Sequence, residues 1–390
     1  MHGDERQEAT KPDATETGGL ETEVGGRPGA IRIASVATAS PDCRLTQGQV
    51  ADFLAGHYRE KLAPRSIRLL RRIFAHPSIA ARDFAFSGPE EATGESRDER
   101  QARFASAAIE LGARAARRAL EAAAVPPESL AALVVNTCTG YLCPGLSGYI
   151  IERLGLQPDV QAYDLVGAGC AGALPALEMA AGALAAAGRR ARGDGGGGAG
   201  GRAALAVSVE ICSAAFRMDD DPSLIVSNAL FADGAAAAVL REGPGGGLRL
   251  TGFARRLHPE HREAIRFVHR NGELSNQLAP GLPGIVARAA SGFVPGFLAG
   301  HGLAREDIAR WIVHPGGERV LVELARALGL PDGKLRESRA VLAARGNLSS
   351  ASVWFVLRQA MDEGLLPGEK LVMLAFGAGL AMHACLLENA

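Results

Sequence analysis

The fold is decided by the stretch Ala162-Tyr-Asp-Leu-Val-Gly-Ala-Gly-Cys-Ala-Gly-Ala-Leu-Pro-Ala-Leu-Glu-Met-Ala-Ala181. It predicts a buried strand, a glycine-rich turn and an alanine-rich helix, with Cys170 in the turn. Unpaired backbone N–H groups and the macrodipole at a helix start favour a thiolate, which predicts a reactive nucleophile at Cys170. The alternative is an inert core cysteine. Pro175 cannot donate a helix hydrogen bond, so the helix either begins near Gly172 or kinks.

A weak internal repeat extends this pattern to the whole chain. Residues 128–136 and 306–314 each combine a helix end, an apolar strand and a polar loop, about 180 residues apart. We therefore expect two similar α/β halves, over 29–243 and 244–390, that face each other across a central cleft. Residues 1–28 are polar with few large apolar side chains and predict a disordered tail.

Composition narrows the class of protein. The chain has 390 residues, 47% of them hydrophobic, and 42 basic against 43 acidic residues, which argues against nucleic acid or a membrane surface as partner. No run of apolar residues approaches the length of a membrane span, so we expect no membrane-spanning helix. We also expect no signal peptide, because the first residues are polar. Six cysteines without C-x-x-C spacing indicate reduced thiols, a cytoplasmic location and no structural zinc or other metal site.

Further elements follow from hydrophobic periodicity and from glycine content. Strands are predicted at 31–38, 130–136, 203–209 and 235–240, helices at 46–74 and 98–124, and a glycine-rich surface loop at 188–202. The first of these helices carries a basic cluster that includes Arg68 and Arg72. Such a cluster is either a solvated helix face or a binding surface for an anionic cosubstrate.

Three loop residues form a chemically complete set for acyl transfer. Cys170 begins a helix, His314 ends a strand, and Asn347 precedes another helix. A thiolate attacks thioesters, an imidazole assists the thiolate, and an amide N–H₂ adds a donor for the oxyanion. Taken singly, His314 could be a strand-end histidine bonded to backbone, and Asn347 could be a helix cap. Only their joint presence favours catalysis.

The segments around these residues resemble a known family. Val-Gly-Ala-Gly-Cys170-Ala-Gly-Ala, Val-His314-Pro-Gly-Gly and Gly-Asn347-Leu-Ser-Ser-Ala-Ser-Val are similar to the three active-site segments of type III polyketide synthases, the chalcone synthase-like enzymes of the thiolase superfamily. Ala-Leu-Phe231-Ala-Asp-Gly-Ala and Ala-Phe376-Gly377-Ala-Gly-Leu resemble the gatekeeper segment and the cyclisation-pocket loop.

The resemblance implies a thiolase-like fold, in which two βαβαβαββ halves form a layered αβαβα core. It implies that Cys170 carries the starter and the growing chain, while His314 and Asn347 assist decarboxylation of malonyl-CoA. Phe231 would lie at the mouth of the coenzyme A tunnel. It further implies a homodimer, acyl-CoA and malonyl-CoA as substrates without another cofactor, and cyclisation to a pyrone, resorcinol, phloroglucinol or naphthalene-type product.

Several positions depart from the plant members of the family. Cys138 and Cys212 stand where plant enzymes have polar cavity residues, and Cys143 stands where they present a methionine across the dimer interface. Small side chains at Ala215 and Ala378 predict a wider pocket, one that takes a fatty-acyl or long polyketide chain. Arg72 matches a coenzyme A-binding arginine of the family, and Arg68 lies one helical turn before it.

Two alternatives remain on the sequence alone. A ketoacyl carrier-protein synthase III uses the same Cys-His-Asn set for one condensation, but Pro315-Gly316-Gly317 fits the polyketide branch. A non-catalytic scaffold subunit would keep the fold, and the intact catalytic set speaks against it. The apolar stretch Leu142–Ile151 predicts either a dimer interface or a segment buried within one subunit.

Overall fold

The computed structural model describes residues 30–193, 202–270 and 273–390; the tail predicted at 1–28 lies outside these ranges. The strands are β1 Ile31–Ala39, β2 Cys43–Thr46, β3 Ala81–Phe84, β4 Leu130–Asn136, β5 Gln161–Leu165, β6 Ala203–Ile211, β7 Asp233–Glu242, β8 Leu248–Leu257, β9 Ile265–Arg270, β10 Glu273–Leu278, β11 Ile308–Val313, β12 Lys370–Gly377 and β13 Ala381–Asn389. The helices are α1 Gln47–His57, α2 Pro64–Phe74, α3 Pro89–Gly94, α4 Arg97–Ala122, α5 Leu146–Leu154, α6 Ala173–Gly193, α7 Pro222–Leu230, α8 Leu282–Gly300, α9 Glu318–Leu328, α10 Arg336–Arg345 and α11 Ser352–Asp362.

Nine strands form one large mixed sheet, in the order β11-β12-β13-β8-β1-β7-β6-β4-β5. β4 runs parallel to both β5 and β6, and β11 runs parallel to β12, while the other neighbours are antiparallel. Only two residue pairs, Arg32↔Arg249 and Ile33↔Leu248, join β1 to β8. The sheet therefore consists of two parts, one from each predicted half, which meet along a short seam.

Helices α6 and α11 form the middle layer between the two parts of the sheet. α6 contacts β4, β6 and β7 on one side and β13 on the other, and α11 contacts both β1 and β11. Their apolar side chains, including Leu177 and Trp354, are fully buried in one core that both parts share. α4 covers the outer face of the first part and α8 that of the second. This is the layered αβαβα arrangement that the resemblance implied.

The unit around Cys170 agrees with one of its two predicted forms and adds two details. The α-helix begins at Ala173, as in the alternative of a start near Gly172, and a 3₁₀ turn at Gly169–Ala171 carries the cysteine. Pro175 therefore occupies the first helical turn, where backbone N–H groups have no intrahelical partner. α6 continues to Gly193, so the first six residues of the loop predicted at 188–202 are helical, and 194–201 lie outside the described residues.

Strand β5 is largely exposed, which corrects the prediction of a buried strand. It lies at one edge of the sheet, where β4 is its single neighbouring strand among the described residues, and three of its five residues are exposed. The helix predicted over 46–74 is two helices, because the chain turns at 58–63 between α1 and α2. By length and composition alone α8 could cross a membrane, contrary to expectation; core helices pass the same test, and α8 packs in the core.

Candidate active site

A deep cavity opens beside the Cys170 turn. It encloses about 1010 Å³ of space, part of it open to solvent, and its wall is mostly apolar. Aromatic side chains supply much of this wall: Phe53, Phe84, Phe86, Phe216, Phe231 and Phe267. The three thiols Cys138, Cys170 and Cys212 also line it, together with Ala215 and Ala378. Such a cavity suits a long apolar or unsaturated acyl chain that approaches a thiol.

Cys170 is buried at the inner end of this cavity. Its side chain is 5% exposed, and the Ser349 hydroxyl donates to its Sγ at 3.4 Å. Burial raises the pKa of the Cys170 thiol to about 12, and the bond from Ser349 opposes this only in part. The expected low-pKa thiolate is therefore wrong for the free enzyme, because the 3₁₀ turn and desolvation outweigh the helix start.

The end of β12 packs against the Cys170 turn. A Cβ atom added at Gly377, the last residue of β12, would lie 2.3 Å from the Ala168 carbonyl oxygen and 2.6 Å from the Ala171 nitrogen. Since both of these are backbone atoms, Gly377 fixes how closely β12 and the turn can approach. Phe376 and Gly377 thus lie behind the turn, outside the set of residues that line the cavity, whereas the next residue, Ala378, lines it.

Asn347 and Phe231 are held together by backbone hydrogen bonds. The Asn347 N–H donates to the Leu230 carbonyl at 2.8 Å, and the Asn347 carbonyl accepts from Ala232 at 2.9 Å, which forms a short parallel bridge. The Asn347 Oδ1 accepts from the Ser349 N–H at 2.8 Å, as in a helix cap. Its Nδ2 donates weakly to the Gly316 carbonyl at 3.4 Å, so its N–H₂ group retains capacity for a ligand.

His314 lies at the end of β11 and is 1% exposed. Its Nδ1 is buried without a hydrogen-bond partner, which argues against a histidine bonded to backbone through its ring. Burial lowers the pKa of His314 to about 3, so the imidazole is neutral. The edge of its ring packs against Phe376 with centroids 5.2 Å apart. A buried, unpartnered imidazole nitrogen is costly for folding and is therefore typical of a functional group.

Glu210 connects the cavity thiols to the core. It is fully buried on β6, and its carboxylate accepts from the Cys138 backbone N–H at 3.0 Å and from the Thr139 hydroxyl at 3.0 Å. The Ser350 hydroxyl also donates to it. The Cys138 thiol lies 3.1 Å from the Ser349 hydroxyl, which in turn bonds Cys170. A hydrogen-bonded network thus joins Glu210 to the proposed nucleophile.

Replacing Glu210 with glutamine should change the pH dependence of stability. Burial raises the pKa of Glu210 above 4.5, so the folded protein keeps a proton that the unfolded chain releases. Stability is then lost as the pH rises from 4.5 through the raised pKa. Relative to the variant, the wild type should lose about 1.4 kcal/mol per pH unit in that window. Urea unfolding from pH 4.5 to pH 8 measures the difference.

The matched control for this experiment is Glu121→Gln, which removes an exposed carboxylate of α4. Its free energy of unfolding should follow the wild type at every pH. A constant difference between Glu210→Gln and the wild type across the series would contradict the prediction, since it would show that the buried carboxyl does not titrate on unfolding.

The predicted site residues fall into three groups. Those that line the cavity are Cys138, Cys170, Cys212, Ala215 and Phe231. His314 and Asn347 lie behind it, tied to its wall through Ser349 and Gly316. Arg68 and Arg72 are exposed on α2, and Cys143 is exposed in the loop before α5.

The apolar stretch Leu142–Ile151 is partly internal. Leu146 and Ile150 are buried in the core beneath α4, while Leu142 and Ile151 are half-buried against it. Burial within one subunit therefore holds for Leu146 and Ile150, and the dimer interface stays a prediction for the other residues.

Sequence reasoning missed Ser349, Glu210 and Arg82, all of which are buried beside the cavity. One signal was available for Glu210, which is a lone charged side chain within an apolar strand, and such residues are rarely buried without partners. Arg82 carried no such signal, because Asp83 follows it directly. Among the residues that the structure describes, no group of three or more His, Cys, Asp or Glu side chains could hold a metal ion.

Two family models match the chain in succession. The model described as "FAE1/Type III polyketide synthase-like protein" matches residues 36–246, and the model "Chalcone and stilbene synthases, C-terminal domain" matches residues 250–390. The first alone covers more than half of the chain.

Curated relatives agree with the family models over nearly the whole length. A 3,5-dihydroxyphenylacetyl-CoA synthase of Streptomyces toyocaensis is 33% identical, with 96% of this chain and 94% of that protein covered. A 1,3,6,8-tetrahydroxynaphthalene synthase of Streptomyces peucetius subsp. caesius is 32% identical, with 91% and 92% covered.

Solved structures confirm the thiolase-like fold class. The crystal structure of PKS-I from the brown alga Ectocarpus siliculosus has a TM-score of 0.83 at 28% identity, with 94% of this chain and all of that chain covered. Neither the single-condensation synthase nor the scaffold subunit is favoured by these comparisons. In sequence and in fold, the chain belongs to the type III polyketide synthases, which are condensing acyltransferases.

Proposed function

We propose that this synthase loads an acyl starter on Cys170 and extends it with malonyl units. The observation that carries the proposal is a buried thiol in the wall of an apolar cavity that accepts from the Ser349 hydroxyl, while the Ser349 backbone N–H donates to the Asn347 side chain. His314 belongs to the same group, because its carbonyl accepts from the Gly316 N–H and the Gly316 carbonyl accepts from the Asn347 amide. No charged partner for Cys170 is needed at rest, because thiol and imidazole are both neutral when buried.

In the loading step, the Cys170 sulfur attacks the carbonyl carbon of the starter thioester. The new S–C bond forms, the bond to the coenzyme A sulfur breaks, and the thiol proton passes through His314 to the departing coenzyme A. Neutral His314 can accept that proton. The imidazolium that forms persists only while the negative charge of the thiolate or the oxyanion lies nearby.

In the extension step, malonyl-CoA loses carbon dioxide. The electron pair of the broken C–C bond remains on the thioester as an enolate, whose oxygen accepts from the imidazole N–H and from the Asn347 amide. The enolate carbon then attacks the Cys170 thioester carbonyl, the new C–C bond forms, the C–S bond to Cys170 breaks and the Cys170 thiolate leaves and takes up the proton. The chain, longer by two carbons, is now bound to the coenzyme A of the extender unit and returns to Cys170 by the loading step before the next extension. Two preorganised donors in a dry site supply this stabilisation without a metal.

Phe231 favours the same step from the cavity side. Its ring lines the cavity and its backbone is bonded beside Asn347, so it lies where the malonyl group must sit. An apolar ring disfavours the malonyl carboxylate relative to neutral carbon dioxide. We assign coenzyme A binding to the exposed arginines Arg68 and Arg72 of α2, since guanidinium groups suit phosphates.

The width of the cavity bears on the product. Ala215 and Ala378 both line it, and no aspartate or glutamate does among the described residues. We therefore propose a long polyketide or fatty-acyl chain as its occupant, with cyclisation to a resorcinol, pyrone or naphthalene-type ring. The names of the Streptomyces relatives are consistent with an aromatic product.

Mass spectrometry of the products tests this function. Purified enzyme is given malonyl-CoA alone or with acetyl-, aromatic or long-chain acyl-CoA starters. The expected result is a malonyl-dependent product of several condensations, with long-chain starters accepted. A single condensation with every starter would favour the synthase III alternative, and extension of short aromatic starters alone would refute the wide pocket.

We further propose a homodimer that forms through the exposed edge at β5. Tyr163 is 38% exposed and Val166 is 62% exposed, and Tyr141 in the loop beside them is 70% exposed. The Asp164 side chain accepts from the Ser147 N–H at 3.1 Å, which fixes this loop against β5. An unpaired edge strand flanked by large apolar side chains suits pairing with its own copy across a two-fold axis. Cys143 would then reach the partner's cavity.

Val166→Lys should weaken the dimer. A charged side chain on each copy at a two-fold interface faces its own kind and loses apolar burial. Size-exclusion chromatography with light scattering at micromolar concentration should show a dimer for the wild type and a monomer for the variant. Leu366→Lys, which charges a 69% exposed leucine near the opposite sheet edge, is the matched control and should remain dimeric. A monomeric wild type would overturn the proposal.

We also propose a cytoplasmic location, because all six cysteines are free thiols and such thiols persist in a reducing compartment.

A further inference from the structure

Arg82 on β3 is a fully buried arginine outside the catalytic set. Its side chain is 1% exposed, and within the described part of the chain it forms no ion pair. Its guanidinium lies over the rings of Phe74 and Phe84, at 5.6 and 5.0 Å from their centroids. Burial lowers the pKa of Arg82 to about 9, so it is charged at neutral pH. A buried charge without a carboxylate must be satisfied by other acceptors.

Those acceptors are backbone carbonyls at the end of α7. Arg82 Nη1 donates to the Asn228 carbonyl at 2.8 Å and to the Phe231 carbonyl at 2.6 Å. Its Nε donates to the Gln47 side chain at 2.8 Å, and Gln47 donates to the Ala229 carbonyl at 2.8 Å. The last carbonyls of a helix lack intrahelical partners and carry partial negative charge, so a cation is well placed there.

The stem of Arg82 also contacts the segment that carries Asn347. A Cβ atom added at Gly346 would lie 2.8 Å from both Cγ and Cδ of Arg82, and 2.8 Å from the Leu230 carbonyl oxygen. That same oxygen accepts the Asn347 N–H. One side chain therefore touches both segments of the Phe231–Asn347 bridge. It holds the Phe231 segment by hydrogen bonds and the Asn347 segment by packing against Gly346.

Arg82 also lines the cavity, where its Nη2 has no hydrogen-bond partner among the described residues. We propose that Arg82 is a positioning residue for malonyl decarboxylation, which acts through the backbone of Phe231 and Asn347. The inference rests on the roles proposed for those two residues. Arginine suits the task because its planar fork supplies several donors in fixed directions, which lysine cannot reproduce. The Cys170 turn is packed against Gly377, which Arg82 does not contact, so loading of the thiol should depend less on Arg82 than decarboxylation does.

The test separates the two half-reactions. Acylation of Cys170 is followed by intact-protein mass after mixing with an acyl-CoA starter, and decarboxylation by release of labelled carbon dioxide from malonyl-CoA. For Arg82→Lys and Arg82→Met, kcat for decarboxylation should fall by about 10- to 100-fold, since a displacement of about 1 Å costs that much. The KM for malonyl-CoA and the acylation rate should change by less than about threefold, with lysine the milder variant.

Gln47→Leu is a second variant for the same measurements if Arg82→Met does not fold. It removes the bond to the Ala229 carbonyl and should give a smaller loss in the same direction. Arg103→Lys is the matched control, because Arg103 is a second buried arginine that bonds the Ser213 carbonyl and not α7. It should change acylation and decarboxylation together or not at all.

A double-mutant cycle shows whether Arg82 acts through its neighbours. In a Phe231→Ala, Asn347→Ala background, Arg82→Lys should cause no further loss of decarboxylation, as expected for coupled residues. A full further loss, an equal fall in acylation for the Arg82 variants, or no loss at all would each overturn the proposal. Failure of the proposed function is separate, because the wild type would then neither acylate Cys170 nor release carbon dioxide.

Discussion

Replacing Cys170 with alanine is expected to abolish malonyl-dependent product formation. The thiol is the atom to which the chain is bound in every cycle, so its loss removes the covalent route and leaves only the oxyanion donors. Loss of a nucleophile that acts as part of a set lowers kcat by about 10³-fold or more. Product formation from malonyl-CoA and a starter is measured by liquid chromatography with mass detection, and acyl transfer to the protein by intact mass.

Two other thiols make this prediction selective. Cys138 and Cys212 also line the cavity, and burial raises the pKa of both well above the usual value. Cys138 lies in the loop after β4 and Cys212 begins an isolated 3₁₀ turn after β6, whereas Cys170 lies in the 3₁₀ turn that leads directly into the long helix α6, so acyl groups should map to Cys170 alone. Cys385→Ala removes a buried thiol of β13 outside the cavity and should leave activity intact. Undiminished product from Cys170→Ala would falsify the assignment of the nucleophile.

Gly377→Ala is expected to lower kcat by about 10²-fold, although it adds one methyl group and touches no substrate. The new Cβ would lie 2.3 Å from the Ala168 carbonyl oxygen and 2.6 Å from the Ala171 nitrogen. These backbone atoms flank Cys170, so the turn must move away from β12 and carry the thiol with it. Overpacking of this kind also costs about 1–3 kcal/mol of stability. Steady-state kinetics and thermal unfolding together measure both effects.

Gly182→Ala is the matched control. This glycine lies within α6, and a Cβ atom added there meets nothing within 4 Å. Alanine should therefore stabilise the protein by about 0.5–1 kcal/mol and leave kcat unchanged, because alanine is the better helix former. Wild-type kinetics for Gly377→Ala would show that β12 yields without moving the thiol, which would contradict the role given to Gly377.

The sequence predicted the fold class from its hydrophobic periodicity and the family from its short motifs. Both are properties of contiguous residues, so they can be recognised without knowledge of tertiary contacts. Apolar strands, capped helices and glycine-rich turns recur in each half. The segments around Cys170, His314 and Asn347 match the sequence motifs of one family. The order of these segments follows from chain connectivity. The catalytic roles of Cys170, His314 and Asn347 can therefore be predicted before any contact is known. They stay predictions until the variants are measured.

The sequence misjudged features that depend on what lies across space. The Cys170 stretch predicted a thiolate, yet burial against Ser349 and the cavity wall keeps the thiol neutral. The pattern of β5 predicted a buried strand, but β5 lies at an edge of the sheet and pairs with β4 alone among the described strands. Burial and edge position are properties of the packed layers, which a periodic pattern does not encode.

What the sequence by itself determined is an α/β fold of two similar halves and, through the resemblance of its motifs, the family of condensing enzymes, because periodicity and short motifs are local properties of the chain. It also predicted Cys170, His314 and Asn347 as the reacting groups. Only the tertiary structure decided the protonation of those groups and the hidden supports, Glu210 and Arg82, since each is defined by partners more than 100 residues away along the chain for its most specific contacts. Desolvation and hydrogen-bond satisfaction arise when distant segments meet, and that is the physical reason for the division.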